Sequence, residues 1–255
     1  MDLLATALDG FAVLAQNITD LADGTLRAYT VNGWPSPSFS PVIHLASHTP
    51  GHREFATARA FWDQQWADAT PTACLLVPVT TMPAPVELPS GWHADEHPLH
   101  VIVEESGPVE VTPDDASTLC VTPLGDSEAE EKFLHLVTAC FPDTCTAPEK
   151  VLTQLQEADA HTELITLHRG TPGEPAAASA LTVKNQTAFQ TWGAVPEPYR
   201  GLRLSRVLQQ AALRRAYELG AAASVTVTRN PRVIGTHRPR LDLRIYRNTP
   251  SGEYR

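Results

Sequence analysis

Arg200, Gly201, Arg203 and Ser205 stand together in the stretch VPEPYRGLRLSRVL. A glycine-bearing turn that runs into a helix leaves backbone N–H groups free and sets the positive end of the helix dipole beside them. Arginines in the same turn add charge, and the combination suits a phosphate-type anion. The plainer reading is a strand–helix–strand crossover with surface arginines. Other chemistry is less well supported. His44, His48 and His52 are four apart, but Pro50 and Gly51 break any helix that would align them for a metal ion. His93, His97 and His100 surround Pro98 and read as loop histidines, so no metal is expected. Cys74, Cys120, Cys140 and Cys145 form no C-x-x-C pair and are too sparse for a disulfide framework. They are expected as reduced thiols in the cytoplasm. G-x-S-x-G, H-E-x-x-H and G-x-x-x-x-G-K are absent.

The elements that must position the turn are legible around it. Thr187 to Val195 is rich in Thr, Phe, Trp and Val and predicts a strand, which Pro196 and Pro198 stop. A helix is expected to open at Tyr199-Arg200-Gly201. Leu204, Val207, Leu208, Ala211, Ala212, Ala216 and Leu219 give it one apolar face. Gly220 suits its C-terminal left-handed position, and Ala223 to Thr228 predicts a second strand.

VPEPYRGLRLSRVL resembles the acetyl-CoA-binding motif of the GNAT superfamily of N-acetyltransferases. Val195, Pro196, Arg200, Gly201 and Leu208 match it, while Arg203 replaces the central glycine and Ser205 a Gly or Ala. The following YELGAAASVTVTRNP is similar to the family's next run, with Asn230 at the asparagine on the pantetheine side. The resemblance implies acetyl-CoA as co-substrate, with Gly193, Ala194 and Val195 along the pantetheine arm. It implies Arg200, Gly201, Leu202, Arg203, Leu204 and Ser205 around the pyrophosphate. The reaction it implies is direct transfer of an acetyl group to a primary amine of a small molecule or peptide. A tyrosine about seven residues past the asparagine usually serves the leaving thiolate; that count reaches His237, which can donate a proton. No general base stands out; Glu163 and Glu197 lie near the relevant segments. The departures at 203, 205 and 237 favour the alternative, a degenerate, non-catalytic GNAT-like protein that binds acyl-CoA or is structural.

Charge agrees with an anionic ligand at the turn. Residues 1–189 hold 7 Lys and Arg against 25 Asp and Glu, and residues 190–255 hold 12 against 4. The acidic majority argues against nucleic acid. No stretch approaches the ~20 apolar residues of a membrane span. With 42% hydrophobic and 19% charged residues, the chain can build a proper core.

Along the chain, helices are expected at 3–22, 53–66, 127–141 and 148–158. Strands are expected at 26–31, 42–47, 72–79, 99–104, 162–169, 176–183 and 240–247. Ser127-x-x-Glu130 reads as a capping box. The acidic, Pro-containing stretch 107–115 reads as a junction. The expected fold is α/β, of α+β type: two GNAT-like units, each a mixed, mostly antiparallel twisted sheet flanked by helices. Residues 1–107 form a degenerate unit without an Arg-Gly turn, and 108–255 the acetyl-CoA-binding unit. A small amine acceptor is the expected partner, and a homodimer is compatible with the reading.

Overall fold

The computed structural model describes residues 2–66, 72–81, 85–113, 116–142, 147–170, 175–230 and 239–248. The first half holds α1 (Leu3–Leu14), β1 (Asn17–Leu21), β2 (Leu26–Thr30), β3 (Val42–His44), α2 (His52–Gln65), β4 (Ala73–Pro78), β5 (Trp92–Ala94) and β6 (Leu99–Glu105). Next come β7 (Ser117–Pro123), α3 (Ser127–Cys140), α4 (Glu149–Glu157), β8 (His161–Arg169), β9 (Pro175–Lys184) and β10 (Thr187–Ala194). The chain closes with α5 (Leu204–Glu218), β11 (Ala223–Thr228) and β12 (Arg240–Asn248).

These elements form two compact units, Met1–Leu14 with Val103–Thr226, and Ala15–Ile102 with Val227–Arg255. A cut at 107/108 therefore misses how the contacts divide. The first helix belongs with the later part of the chain, and the last strand with the earlier part. The reason is burial. The apolar face of α1 meets β10, where Phe11 packs on Phe189 at 6.1 Å between ring centroids. β12 pairs along β4 from Leu243↔Pro78 to Asn248↔Ala73.

In the unit that contains β10, the order is β11-β10-β9-β8-β7, with the end of β6 beside β11. There β10–β11 is parallel, whereas β7–β8, β8–β9 and β9–β10 are antiparallel. Successive side chains point to opposite faces. Ala188 joins Leu204, Leu208, Ala211, Ala212 and Ala216 of α5 in one core. Phe189 faces α1 on the other side, where α3 also contacts β9 and β10. β9 is buried on both faces from Pro175 to Thr182, as a strand between two helical layers must be.

The other unit has the order β1-β2-β3-β4-β12-β6, with β5 also on β12. Its β3–β4 pair is parallel and the rest are antiparallel. Phe55, Ala58 and Trp62 of α2 pack into its core, and Trp62 Nε1 donates to the Cys74 carbonyl at 3.0 Å. No described helix is long and apolar enough to cross a membrane.

Several local expectations are corrected. The helix expected over 3–22 ends at Leu14, and Asn17–Leu21 is a strand. The α3 cap lies one residue earlier than Ser127. Asp126 accepts from the Ala129 amide at 3.0 Å, and Glu130 accepts from the Gly125 amide at 2.8 Å. β7 was not expected. α5 begins at Leu204, not at 199–201, because Gly201 (φ 86°) and Arg203 (φ 59°) hold left-handed backbone. A short 3₁₀ turn fills Glu197–Tyr199 instead.

His44, on β3, is fully buried, and neither ring nitrogen has a hydrogen-bond partner among the described residues. Its ring meets that of His48 edge-on at 5.2 Å. Burial lowers its pKa, as does the neighbouring His48, against a smaller opposing pull from Glu54. The unfolded chain therefore takes up this proton first as the pH falls below about 6.5. The stability it contributes is complete above that value and is lost as the pH falls towards the lowered folded value. Urea midpoints should drop between pH 7.5 and 5.5, and drop less in His44→Leu; equal drops would refute this.

Candidate functional site

β10 and β11 run side by side from Thr187↔Ala223 to Gln190↔Thr226, and their pairing ends there. β10 continues along β9 on its other edge, through a register shift between Thr191 and Ala194. Trp192, at φ 55°, makes this bulge. Its indole Nε1 donates to Gln154 Oε1 at 3.1 Å, and its ring meets Phe141 at 6.0 Å. Helices α3 and α4 thus fix the bulge from one face. Beyond Gln190↔Thr226, β10 and β11 are not paired with each other among the described residues.

The turn follows directly. Tyr199 and Arg200 amides bond back to Pro196 and Glu197, and the helix ladder first appears at Arg206 and Val207, both on the Arg203 carbonyl. Among the described residues, the amides of Gly201, Leu202, Arg203, Leu204 and Ser205 make no backbone hydrogen bond. Five successive amides without backbone partners at a helix N-terminus are donors of the kind that suit an anion. Leu204 is buried, whereas Arg203 and Ser205 are exposed beside it. Among the described residues, and apart from the chain neighbours, no atom lies within 4 Å of where a Cβ would stand on Gly201 or Gly193, so φ selects glycine at 201. Arg203 holds the same kind of backbone without being glycine, at a cost of about 1–2 kcal/mol. Cys140, at the end of α3, lies near this turn. Burial pushes its thiol up, with the Arg200 charge and the Val195 amide pulling the other way.

Of the expected site residues, the structure gathers Gly193, Ala194, Val195, Arg200, Gly201, Leu202, Arg203, Leu204 and Ser205 into one strand end and turn. Asn230 lies two residues beyond β11, exposed, its amide donating to Thr228 Oγ1 at 3.0 Å. His237 lies outside the described residues.

Glu163 is already committed. Arg215 grips its carboxylate with two bonds, at 2.9 and 2.6 Å, and His161 adds a third contact at 3.1 Å. Burial would raise its pKa, but these hydrogen bonds outweigh it and hold the carboxyl below the ordinary range. That arrangement does not suit a base that must accept a proton. Glu197 sits exposed in the 3₁₀ turn. No group of three or more His, Cys, Asp or Glu side chains among the described residues could hold a metal ion.

One cluster was not anticipated. Gln190, on the last paired rung, donates through Nε2 to Ser179 Oγ at 3.2 Å and accepts from Thr226 Oγ1 at 3.3 Å. The available signal was a glutamine inside the otherwise apolar and β-branched run TAFQTWGAV.

No family model matches the sequence, and no curated protein matches it. Solved structures do match the fold. A GCN5-related N-acetyltransferase from Kribbella flavida is similar with a TM-score of 0.66 at 16% identity, over 98% of this chain and 95% of its own. A GCN5-related N-acetyltransferase from Sphaerobacter thermophilus gives 0.59 at 15% identity, over 89% and 78%. The chain has the GNAT fold. A tandem GNAT protein from the clavulanic acid biosynthesis pathway is also similar, at 0.50 and 17% identity over 89% and 79%.

The turn yields a direct prediction. Gly201→Glu places a negative charge beside the five free amides. At ~4 Å and an effective dielectric near 20 a like-charge contact costs about 4 kcal/mol, which surface screening reduces to roughly 1–2 kcal/mol. If the turn holds the pyrophosphate of CoA, as the resemblance implies, CoA affinity should fall roughly five- to thirtyfold. Gly201→Asn, which tolerates positive φ without the charge, should stay within about threefold of wild type. Calorimetry with circular dichroism as the folding control measures both; equal affinity in all three proteins would refute CoA binding at this turn.

Proposed function

We propose that the chain is a GNAT-type N-acetyltransferase that moves an acetyl group from acetyl-CoA to a primary amine of a small molecule or peptide. One observation carries the reading: the parallel strands β10 and β11 part beside a turn with five free amides at a helix N-terminus. A thioester arm needs a strand edge to lie along, and its pyrophosphate needs donors at the end of that edge. Acetyl-CoA supplies an acyl group already activated as a thioester. Gly193, Ala194 and Val195 then hold the pantetheine arm, and Arg200 to Ser205 the pyrophosphate. Asn230, two residues beyond β11, is assigned to the pantetheine side by its place in the sequence motif. Holding the donor rigidly beside the amine supplies most of the advantage of a direct transfer. His237 is assigned the proton for the departing thiolate. The partners on this reading are acetyl-CoA and a small amine in the cytoplasm.

The test is release of free CoA thiol from acetyl-CoA across a panel of amino acids, polyamines, amino sugars and short peptides. Amine-dependent release, reduced by His237→Ala, supports the proposal. Tight CoA binding with no release from any acceptor would point to the non-catalytic alternative instead.

A further inference from the structure

The parting of β10 and β11 has a closed end. The last rung is Gln190↔Thr226. From there to Val195 the strand advances five residues, about 17 Å at a normal strand rise. A donor anchored by the turn and lying along this edge must point its acyl end back towards the rung.

The rung is walled on both faces. On the α5 side, the Gln190 carboxamide caps the last rung, accepting from Thr226 of β11 and donating to Ser179 of β9. Gln190 is 8% exposed and Ser179 fully buried. On the opposite side stand Phe189 and Val225, both buried, with Phe11 and Gly10 of α1 pressed against them. An acyl chain entering between the strands therefore meets a floor, and the polar group in that floor is the Gln190 carboxamide.

We infer that Gln190 sets the acyl length of the donor, admitting two- or three-carbon groups and refusing longer ones. The inference rests on the acetyl-CoA reading above. Gln190 acts here as a specificity-determining residue and takes no part in proton transfer. Its two hydrogen bonds hold the carboxamide at the closed end of the parting, where a free glutamine would turn aside.

The experiment is a calorimetric series with CoA, acetyl-CoA, butyryl-CoA and hexanoyl-CoA on wild type, Gln190→Ala and Gln190→Leu. Wild type should bind hexanoyl-CoA about tenfold or more weakly than acetyl-CoA, the discrimination expected when extra methylenes do not fit. Gln190→Ala should remove most of that difference while leaving CoA affinity within about threefold of wild type. Gln190→Leu keeps the volume without the polar atoms and should keep the wild-type order. A merely structural role would weaken all four ligands together. If Gln190→Ala binds CoA normally and still discriminates against hexanoyl-CoA, the inference is overturned. Should Gln190→Ala fail to fold, the wild-type series still decides: equal affinity for acetyl- and hexanoyl-CoA overturns it. No binding of any member to wild type would instead remove the acetyl-CoA reading, and the inference with it.

Discussion

Gly10→Val is expected to cost the fold about 2–3 kcal/mol. An ideal Cβ on Gly10 would stand 2.7 Å from Cβ, Cγ1 and Cγ2 of Val225, closer than carbon atoms approach. Val225 lies in the middle of β11, one residue before the last rung, and cannot swing away without moving the strand. Its neighbour Phe189 is held by Phe11, so α1 cannot retreat without uncovering that ring. Gly10→Ala meets the same contact but gains about 1 kcal/mol of helix propensity, so its loss should be smaller. Urea denaturation measures both. The valine variant should also lose CoA affinity, because β11 forms one wall of the parting. A valine variant as stable as wild type would mean that α1 does not sit on β11.

Arg215→Met is expected to cost about 2–3 kcal/mol at neutral pH, at or below the usual range for breaking a buried pair because Arg215 is partly exposed. The Glu163 side chain is 5% exposed and that of Arg215 30%. Arg215 also bonds Glu218, and the pair borders a groove of about 470 Å³ floored by Leu119, Val121 and Ala211. Without the guanidinium, Glu163 keeps its burial and loses its main partner. The pH dependence carries the signature. In wild type the depressed carboxyl contributes stability that is full above about pH 4.5 and is lost as the pH falls through the folded value. In the variant, burial acts with little opposition and raises the carboxyl, so acidification relieves the penalty. The deficit relative to wild type should be largest at pH 7 and shrink below about pH 5. A deficit that does not change with pH would assign the effect to lost packing of the arginine stem.

The site was legible in the sequence where its signal was local. Pro196 and Pro198 ended β10, the apolar face from Leu204 to Ala216 marked α5, and Gly220 took the left-handed position at its end. The sequence locates a turn between β10 and α5 but not its conformation. Arg203 occupies left-handed backbone that its residue type does not advertise, so the helix starts later than Tyr199-Arg200-Gly201 suggested. Ile18 and Leu21 fit the helical spacing of α1, yet they lie on an edge strand where Ile18 is half exposed. β7 escaped notice because STLCVTP is short, only partly buried and close to acidic loop residues. The exchange of α1 and β12 between units has no local signal at all. An apolar helix face records that a sheet must cover it, and tertiary packing alone decides which sheet. Gln190 was missed for the same reason, since its partners Ser179 and Thr226 come from strands on either side.

The central claim is that CoA binds along Gly193–Val195 and at the amides of Gly201–Ser205. Amide hydrogen exchange with and without saturating CoA tests it most directly. In the free protein the amides from Gly201 to Ser205 lack backbone partners and should exchange fast. CoA should slow them markedly, together with those of residues 193–195, and leave β1 and β2 unchanged. Exchange over 193–205 that is the same with and without millimolar CoA would contradict the claim.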